Sequence, residues 1–172
     1  MIAWQEGGVE RVNHSTSGRN GPMRNNGLYF EDFLSGQRYF TDRRTITEAD
    51  RNTFITSFGF FEPLFMDQAY VEQQTPYKKP IIPGTLTFCA AEGLTILSGI
   101  LHGTGIAFLG VELNIIQPVF IGDTVTVEIL VVGKRETKKP DQGIVTFAHR
   151  VKNQNEATVM EYTIKRMIRR RT

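Results

Sequence analysis

Cysteine is almost absent from this chain of 172 residues. Cys89 has no second cysteine with which to form a disulfide, and a lone thiol suits a reducing compartment, where disulfides are rare. The first residues show no basic stretch followed by an apolar run, which argues against a secretory signal. We therefore expect a cytoplasmic protein, with Cys89 as a small buried residue of the core.

Long apolar runs and a strong net charge are also missing. No stretch approaches the roughly 18 apolar residues of a membrane-spanning helix, which argues against a membrane protein. The formal net charge of +2 at pH 7 is too small to make nucleic acid the main partner. No pair among the histidines and candidate carboxylates has the spacing of metal ligands, so we expect no metal site.

The composition that is present is typical of one globular domain. Apolar residues make up 40% of the chain and charged residues 22%, which favours a folded protein over a disordered one. Residues 1–26 are rich in Gly, Asn, Ser and Arg and show no periodicity, which predicts a flexible arm or leader. The domain itself is expected over residues 27–172.

The first half of the domain contains short elements. Residues 39–46 read as a strand that leads into a helix. Thr47 can cap this helix, with Asp50 three residues on, and the helix should stop near Gly59. Asp67 is placed to cap a second helix, which is expected over residues 68–74.

A long apolar helix and a series of strands make up the second half. Residues 85–101 are apolar nearly all round, which is typical of a buried helix. The segments that follow are rich in strand-forming residues and are separated by turn residues; they are residues 106–119, 124–134, 143–152 and 158–168. The connections are too short for crossovers, so the sequence predicts an α+β fold in which an antiparallel sheet wraps around the helix.

Two segments resemble a known family. Residues 54–84, FITSFGFFEPLFMDQAYVEQQTPYKKPIIPG, resemble the hydratase motif of MaoC-like proteins, approximately F-x-x-x-(S/T)-G-D-x-N-P-(L/I)-H-x-D and a later (H/P)-G. Residues 113–127, LNIIQPVFIGDTVTV, resemble the family's turn F-x-x-P-V-x-x-G-D-T-(L/V). The resemblance covers residues 29–166, nearly the whole domain.

The resemblance implies a hot-dog fold, in which residues 85–101 form the central helix. It also implies a homodimer or a higher oligomer. The family's (R)-specific enoyl-CoA hydratases add water across the double bond of an enoyl thioester of coenzyme A. The implied partner is thus an acyl-CoA or acyl-carrier thioester, with coenzyme A as part of the substrate and no separate cofactor.

The residues that would handle protons in this motif are replaced. The motif's Asp and His supply a general base and a general acid, and their positions are occupied here by Phe60 and Phe65. A phenyl ring can neither take nor give a proton, so ordinary hydration is not expected. The glycine whose N–H would receive the thioester carbonyl corresponds to Gly84. The resemblance therefore implies substrate contacts at Phe60, Pro63, Leu64, Phe65, Pro83 and Gly84.

Two carboxylates are candidates for chemistry. Glu92 is the one charged residue in the apolar helix, where a carboxylate is costly unless it is exposed, paired or functional. Some hot-dog thioesterases place a catalytic carboxylate on this helix, so Glu92 is either catalytic, paired with an arginine or solvent-exposed. Glu62, at the motif's Asn position, is either a lone acid or base or an exposed loop residue. The basic residues Lys78, Lys79, Arg166, Arg169, Arg170 and Arg171 are either surface charges or contacts for phosphates.

Three functions stay open at this point. The first is a thioester-binding protein of the hydratase family, with or without an altered acid and base. The second is a non-catalytic subunit that completes the interface of an active paralogue. The third is a thioesterase that uses Glu92. Whether the chain is an enzyme depends on which of these holds.

Overall fold

The computed structural model describes residues 27–171. The arm or leader that is expected over residues 1–26 lies outside the described residues. Within residues 27–171, none of the helices has the length and the apolar content needed to cross a membrane.

The strands of the described chain form one antiparallel sheet, as predicted. Their order is β1-β4-β5-β6-β3, and the short β2 pairs with β4. The strands are β1 (Arg38–Phe40), β2 (Arg44–Thr45), β3 (Gly105–Ile115), β4 (Thr124–Glu136), β5 (Gln142–Lys152) and β6 (Thr158–Arg169).

The strand predicted over residues 39–46 is broken into β1 and β2, so that prediction is wrong in part. The break occurs at Thr41, where a side chain contacts β4. The amide of Val127 on β4 donates to the Thr41 hydroxyl at 3.0 Å instead of to a backbone carbonyl, and the side chain thus interrupts the backbone ladder.

The capping residues place the short helices as expected. Helix α1 (Glu48–Phe58) begins with a capping box, in which the Asp50 amide donates to Thr47 Oγ1 at 3.1 Å and the Thr47 amide donates to Asp50 Oδ2 at 2.9 Å. It ends at Gly59, whose φ of 71° is left-handed and suits glycine. Helix α2 (Pro63–Met66) precedes α3 (Gln68–Gln74), and Asp67 caps α3 by accepting from the Tyr70 amide at 3.0 Å.

The long helix α4 (Gly84–Leu97) ends four residues before the predicted boundary at residue 101. The reason is Gly99, whose φ of 79° turns the chain out of the helix. The expectation that this helix is buried all round is wrong in part, because the sheet covers one side only. Cys89 and Leu97 are exposed, and Cys89 is therefore not the core residue that we expected.

The core lies between α4 and the inner face of the sheet. Alternate residues of β4, β5 and β6 point inward, as Val127 and Ile129 of β4 do. Burying an aliphatic side chain of this size stabilises the fold by about 1.5–3 kcal/mol. This packing holds the amino end of α4 beside β3 and β6. The helix contributes Leu86, Ala90, Ala91 and Leu94 to the core, and the sheet contributes, among others, Val131, Val145, Phe147 and Ile164.

Candidate functional site

The motif segment is a tight connection between α1 and α2. Gly59 donates from its amide to the Ile55 carbonyl, and the Phe60 amide donates to the same carbonyl at 3.1 Å. Pro63 then opens α2, where its fixed φ and missing N–H suit the first helical position. Local sequence therefore determines how Phe60 and Phe65 are brought back towards each other.

The two phenylalanines at the motif's Asp and His positions lie side by side. The ring centroids of Phe60 and Phe65 are 5.9 Å apart, and the ring of Phe54 lies 5.1 Å from that of Phe60. Phe58 extends the cluster, 4.9 Å from Phe54. Each such aromatic pair contributes about 0.5–1.5 kcal/mol beyond its buried area. The two positions that the resemblance assigns to proton transfer thus belong to an apolar aromatic cluster.

Arg51 ties this cluster to the segment that precedes α4. The side chain is buried, with a relative exposure of 8%. Its Nε donates to the Ile81 carbonyl at 3.0 Å, and its guanidinium also donates to the Phe65 carbonyl. Burial lowers the pKa of the Arg51 guanidinium below its ordinary value. The sequence analysis missed Arg51, because nothing in the motif marks a basic residue on α1.

Gly84 is the first residue of α4 and lines a cleft. The amides of Leu86 and Thr87 both donate to the Pro83 carbonyl, so the amides of Gly84 and Thr85 precede the first helical donors. Such amides at a helix amino terminus favour an acceptor that carries partial negative charge. A Cβ on residue 84 would lie 2.3 Å from Ile115 Cδ1, so a larger residue at this position requires the end of the Ile115 side chain to move.

The cleft at Gly84 has a volume of about 260 Å³. Its lining is apolar except for backbone groups and a few neutral polar side chains such as Tyr77 and Gln117, and it contains no Asp, Glu, His, Lys or Arg among the described residues. Of the expected substrate contacts, Gly84 lines it, whereas Phe60, Pro63, Leu64, Phe65 and Pro83 do not. Ile81, whose carbonyl accepts a hydrogen bond from Arg51, also lines the cleft.

A family model for the MaoC like domain matches residues 32–153. The chain belongs to the MaoC-like family. The matched range includes the motif segment, α4 and the first three long strands, so the resemblance seen in the two motifs extends over most of the described chain.

A curated relative has a named activity. The MaoC-like chain is 34% identical over 140 residues to an (R)-specific enoyl-CoA hydratase of Rhodospirillum rubrum, which covers 77% of this chain and 90% of the relative.

Solved structures share the fold. A monoamine oxidase regulatory protein from Archaeoglobus fulgius superposes with a TM-score of 0.78 at 32% identity, over 85% of this chain and 97% of that one. A conserved hypothetical protein of Mycobacterium tuberculosis with a double hotdog fold superposes with a TM-score of 0.73 at 20% identity, over 87% of this chain and 46% of that one. The MaoC-like chain has the hot-dog fold that the resemblance implied.

The two candidate carboxylates lie in different surroundings. Glu62 is the exposed residue that directly precedes α2, and its side chain makes no capping hydrogen bond. Glu92 is paired with the Arg166 guanidinium through Oε2 and accepts from the Tyr162 hydroxyl at 2.8 Å through Oε1. The pairing with an arginine was one of the alternatives that the sequence left open for Glu92. A catalytic role for either residue stays a prediction.

The surroundings of Glu92 include two buried groups, Tyr162 and His149, to which the sequence analysis assigned no functional role. Burial raises the pKa of the Tyr162 hydroxyl well above its usual range, and the charge of Glu92 adds to the rise. The His149 ring stacks on Tyr162 with centroids 4.4 Å apart, and neither of its nitrogens has a hydrogen-bond partner among the described residues. Burial, and to a lesser extent the charge of Arg166, lowers the pKa of His149 to about 3.

Three of the basic residues that were candidates for phosphate contacts bind other side chains of this protein. Arg170 pairs with Glu31 at 2.9 Å and Arg171 pairs with Asp32 at 2.6 Å, while Lys79 lies 3.9 Å from the centroid of the Phe120 ring. These contacts favour the interpretation that the basic residues of the tail are surface charges. Residues 27–171 contain no group of three or more His, Cys, Asp or Glu that could hold a metal ion.

Proposed function

We propose that this chain binds an acyl thioester of coenzyme A or of an acyl carrier protein without carrying out ordinary hydration. One observation carries the proposal. The helix terminus at Gly84 heads an apolar cleft, while the rings of Phe60 and Phe65 occupy the positions of the motif's base and acid. The position of Gly84 therefore supports binding, and the two phenylalanines argue against proton transfer. The relative that is named as an (R)-specific enoyl-CoA hydratase supports the thioester as ligand class.

The amide of Gly84 is the group that we expect to receive the thioester carbonyl. Replacing Gly84 with Pro should lower the affinity for butyryl-CoA roughly tenfold, since a lost hydrogen bond costs about 1 kcal/mol or more. Proline suits this position, because it is the first residue of α4 and because Pro83 has the extended backbone, φ −52° and ψ 132°, that precedes proline. Isothermal titration calorimetry measures the change.

Gly84→Ala is the matched control for this variant. Both substitutions place a Cβ against Ile115, but only proline removes the N–H. The difference between the two affinities therefore isolates the hydrogen bond. Equal affinities for the proline and alanine variants would show that the Gly84 amide does not bind the thioester.

A thioesterase that uses Glu92 is the less favoured enzyme. A general base or nucleophile needs an oxygen that can reach the substrate, and both oxygens of Glu92 are engaged by Arg166 and Tyr162. Incubation with crotonyl-CoA distinguishes the possibilities. Formation of 3-hydroxybutyryl-CoA would contradict the proposal, and release of free coenzyme A that Glu92→Gln abolishes would establish the thioesterase.

The exposed edge of the sheet supports a dimer. Strand β3 pairs with β6 along one side, and its other side meets no strand within residues 27–171. An uncovered apolar edge strand favours pairing with another chain. We propose that a second copy pairs there, which joins the two sheets edge to edge. The exposed apolar residues on and beside β3 are Ile106, Phe108, Leu109, Val111, Ile115 and Ile116.

Val111→Lys should weaken this dimer. A lysine charge placed within a contact of apolar side chains is costly to desolvate, so we expect the dimer dissociation constant to rise roughly 100-fold. Val132→Lys is the matched control, because Val132 is a strand valine of similar exposure, 44% against 38% for Val111, and lies on β4. Light scattering after gel filtration reads out the mass. A wild-type mass of 19.5 kDa at micromolar concentration would contradict the dimer.

A non-catalytic subunit is the second candidate function. The same two observations favour it. The free edge of β3 offers a homologous active chain the same pairing surface, and Phe60 and Phe65 cannot serve as acid and base. High hydratase activity that arises only when an active homologue is mixed with this chain would support it.

The cytoplasmic location stays a prediction, and a thioester of coenzyme A is a ligand that such a location supplies.

A further inference from the structure

Arg51 is a buried cation whose hydrogen bonds go to neutral groups. Its Nε donates to the Ile81 carbonyl at 3.0 Å, one terminal nitrogen donates to the Phe65 carbonyl, and the other lies 3.4 Å from Asn52 Oδ1. Within residues 27–171 no carboxylate forms an ion pair with this guanidinium. A buried charge without an opposite charge is costly. The hydrogen bonds to the two carbonyls offset part of that cost and are the specific contacts of this side chain.

The two carbonyls belong to segments that are separate in the chain. Phe65 lies in α2, at the position that the resemblance assigns to the motif's acid. Ile81 lines the cleft at Gly84 and precedes Gly84 by three residues. A guanidinium is planar and directs its N–H groups in fixed directions. One side chain on α1 therefore sets the position of the motif segment relative to a wall of the cleft.

The segment that contains Ile81 has a second support. The Ile82 amide donates to the Val119 carbonyl at 2.8 Å, and Ile81 forms an isolated antiparallel bridge with Phe120. Ile82 and Val119 also line the cleft. Residues 81–82 are thus held by Arg51 and by residues 119–120. Removing the contacts of Arg51 should free this wall of the cleft to move while the other support keeps it in the fold.

We propose that Arg51 is a positioning residue of the thioester site, which holds the Ile81 wall of the cleft in its binding geometry. This inference rests on the proposed function, because it concerns binding in the cleft at Gly84. Arg51 does not line that cleft, so it acts through the two carbonyls and not by touching the ligand. Its own place is fixed by α1, which the capping box at Thr47 and the buried side chain of Ile55 hold.

Arg51→Met should lower the affinity for butyryl-CoA about tenfold. Methionine keeps an apolar stem of similar length but donates no hydrogen bond. Losing both hydrogen bonds shifts the balance between the positioned and the displaced segment by roughly 100-fold, and the apparent affinity falls with the fraction of molecules that can bind. Arg51→Lys, which can still donate to one carbonyl, should lose about threefold. Isothermal titration calorimetry of the intact protein measures both, with coenzyme A alone as the blank.

The same titrations separate positioning from a merely structural role. A variant that is only less stable contains less folded protein, which lowers the binding stoichiometry and the urea midpoint but leaves the dissociation constant of the folded fraction unchanged. Positioning raises the dissociation constant at an unchanged stoichiometry. Arg38→Met is the matched control, because Arg38 is an arginine of β1 with a side-chain exposure of 13% that pairs with Glu128 and does not line the cleft. It should bind butyryl-CoA as the wild type does.

Each result supports or overturns the inference. A wild-type dissociation constant in Arg51→Met, or an equal increase in Arg38→Met, would overturn it and leave the proposed function standing. If Arg51→Met does not fold, Arg51→Lys decides, and a wild-type dissociation constant in that variant would overturn the inference. A wild type that does not bind butyryl-CoA above the coenzyme A blank would overturn the proposed function as well, and the first titration identifies that case.

Discussion

Replacing Phe60 with Asp and Phe65 with His in one molecule should create measurable hydration of crotonyl-CoA. The two rings are neighbours, with centroids 5.9 Å apart, so the new carboxylate and imidazole would face the same space. A positioned general acid or base contributes about 10²–10⁴-fold each, and the pair should act as a unit, so each single variant should do far less. Loss of absorbance of the enoyl thioester measures the rate.

A control variant of the same composition is available in the same segment. Phe58 and Phe61 are exposed, and Phe58→Asp with Phe61→His introduces the same two groups away from the paired positions. A folded Phe60→Asp, Phe65→His double variant that is no faster than this control would contradict the assignment of the two positions. Robust hydration by the wild type that survives Glu62→Gln and Glu92→Gln would contradict it as well.

The pH dependence of hydration by the double variant tests whether the new carboxylate acts as a general base. In the double variant the new carboxylate replaces the half-buried Phe60 ring, which lies 5.1 Å from the ring of Phe54, and this apolar neighbour raises the pKa of the carboxylate. The rate of the double variant should therefore increase with pH over a range above the ordinary titration of aspartate. This rise would separate a working general base from a variant that is merely unstable.

His149→Phe should make the protein considerably more resistant to acid. Burial holds the pKa of His149 at about 3 in the folded protein, below its ordinary value of 6.5. Between these two pH values the unfolded chain binds one proton more than the folded chain, so the free energy of unfolding is unaffected above pH 6.5 and falls as the pH decreases below it. At pH 4.5 the loss amounts to about 2–3 kcal/mol.

Urea denaturation at pH 7 and at pH 4.5 and at one protein concentration measures this loss. His149→Phe keeps a ring that can stack on Tyr162 but cannot be protonated, so it should lose about 2–3 kcal/mol less than the wild type between the two pH values. His102→Gln is the control, because His102 is exposed and should leave the pH dependence as it is. An equal loss in wild type and His149→Phe would show that His149 is not the group responsible.

The elements that local residues control were predictable from the sequence. The Thr47–Asp50 capping box, the left-handed Gly59 and the Asp67 cap form from side chains within a few positions of one another, so their geometry depends little on the rest of the chain. The break between β1 and β2 was not predictable, because it depends on a hydrogen bond between Thr41 and Val127, which are far apart in the chain.

The sequence by itself determined the family and the antiparallel sheet, because both depend on residue types at fixed spacings, and the same spacings carry the prediction that Phe60 and Phe65 replace the motif's acid and base. The tertiary structure alone decided how the charged and apolar residues of α4 are used. Glu92 meets Arg166 and Tyr162 only because β6 packs against the helix, and Cys89 is exposed because the sheet covers only one side of that helix. Residue spacing along one helix determines which side chains share a face, whereas contacts between distant segments depend on how those segments pack.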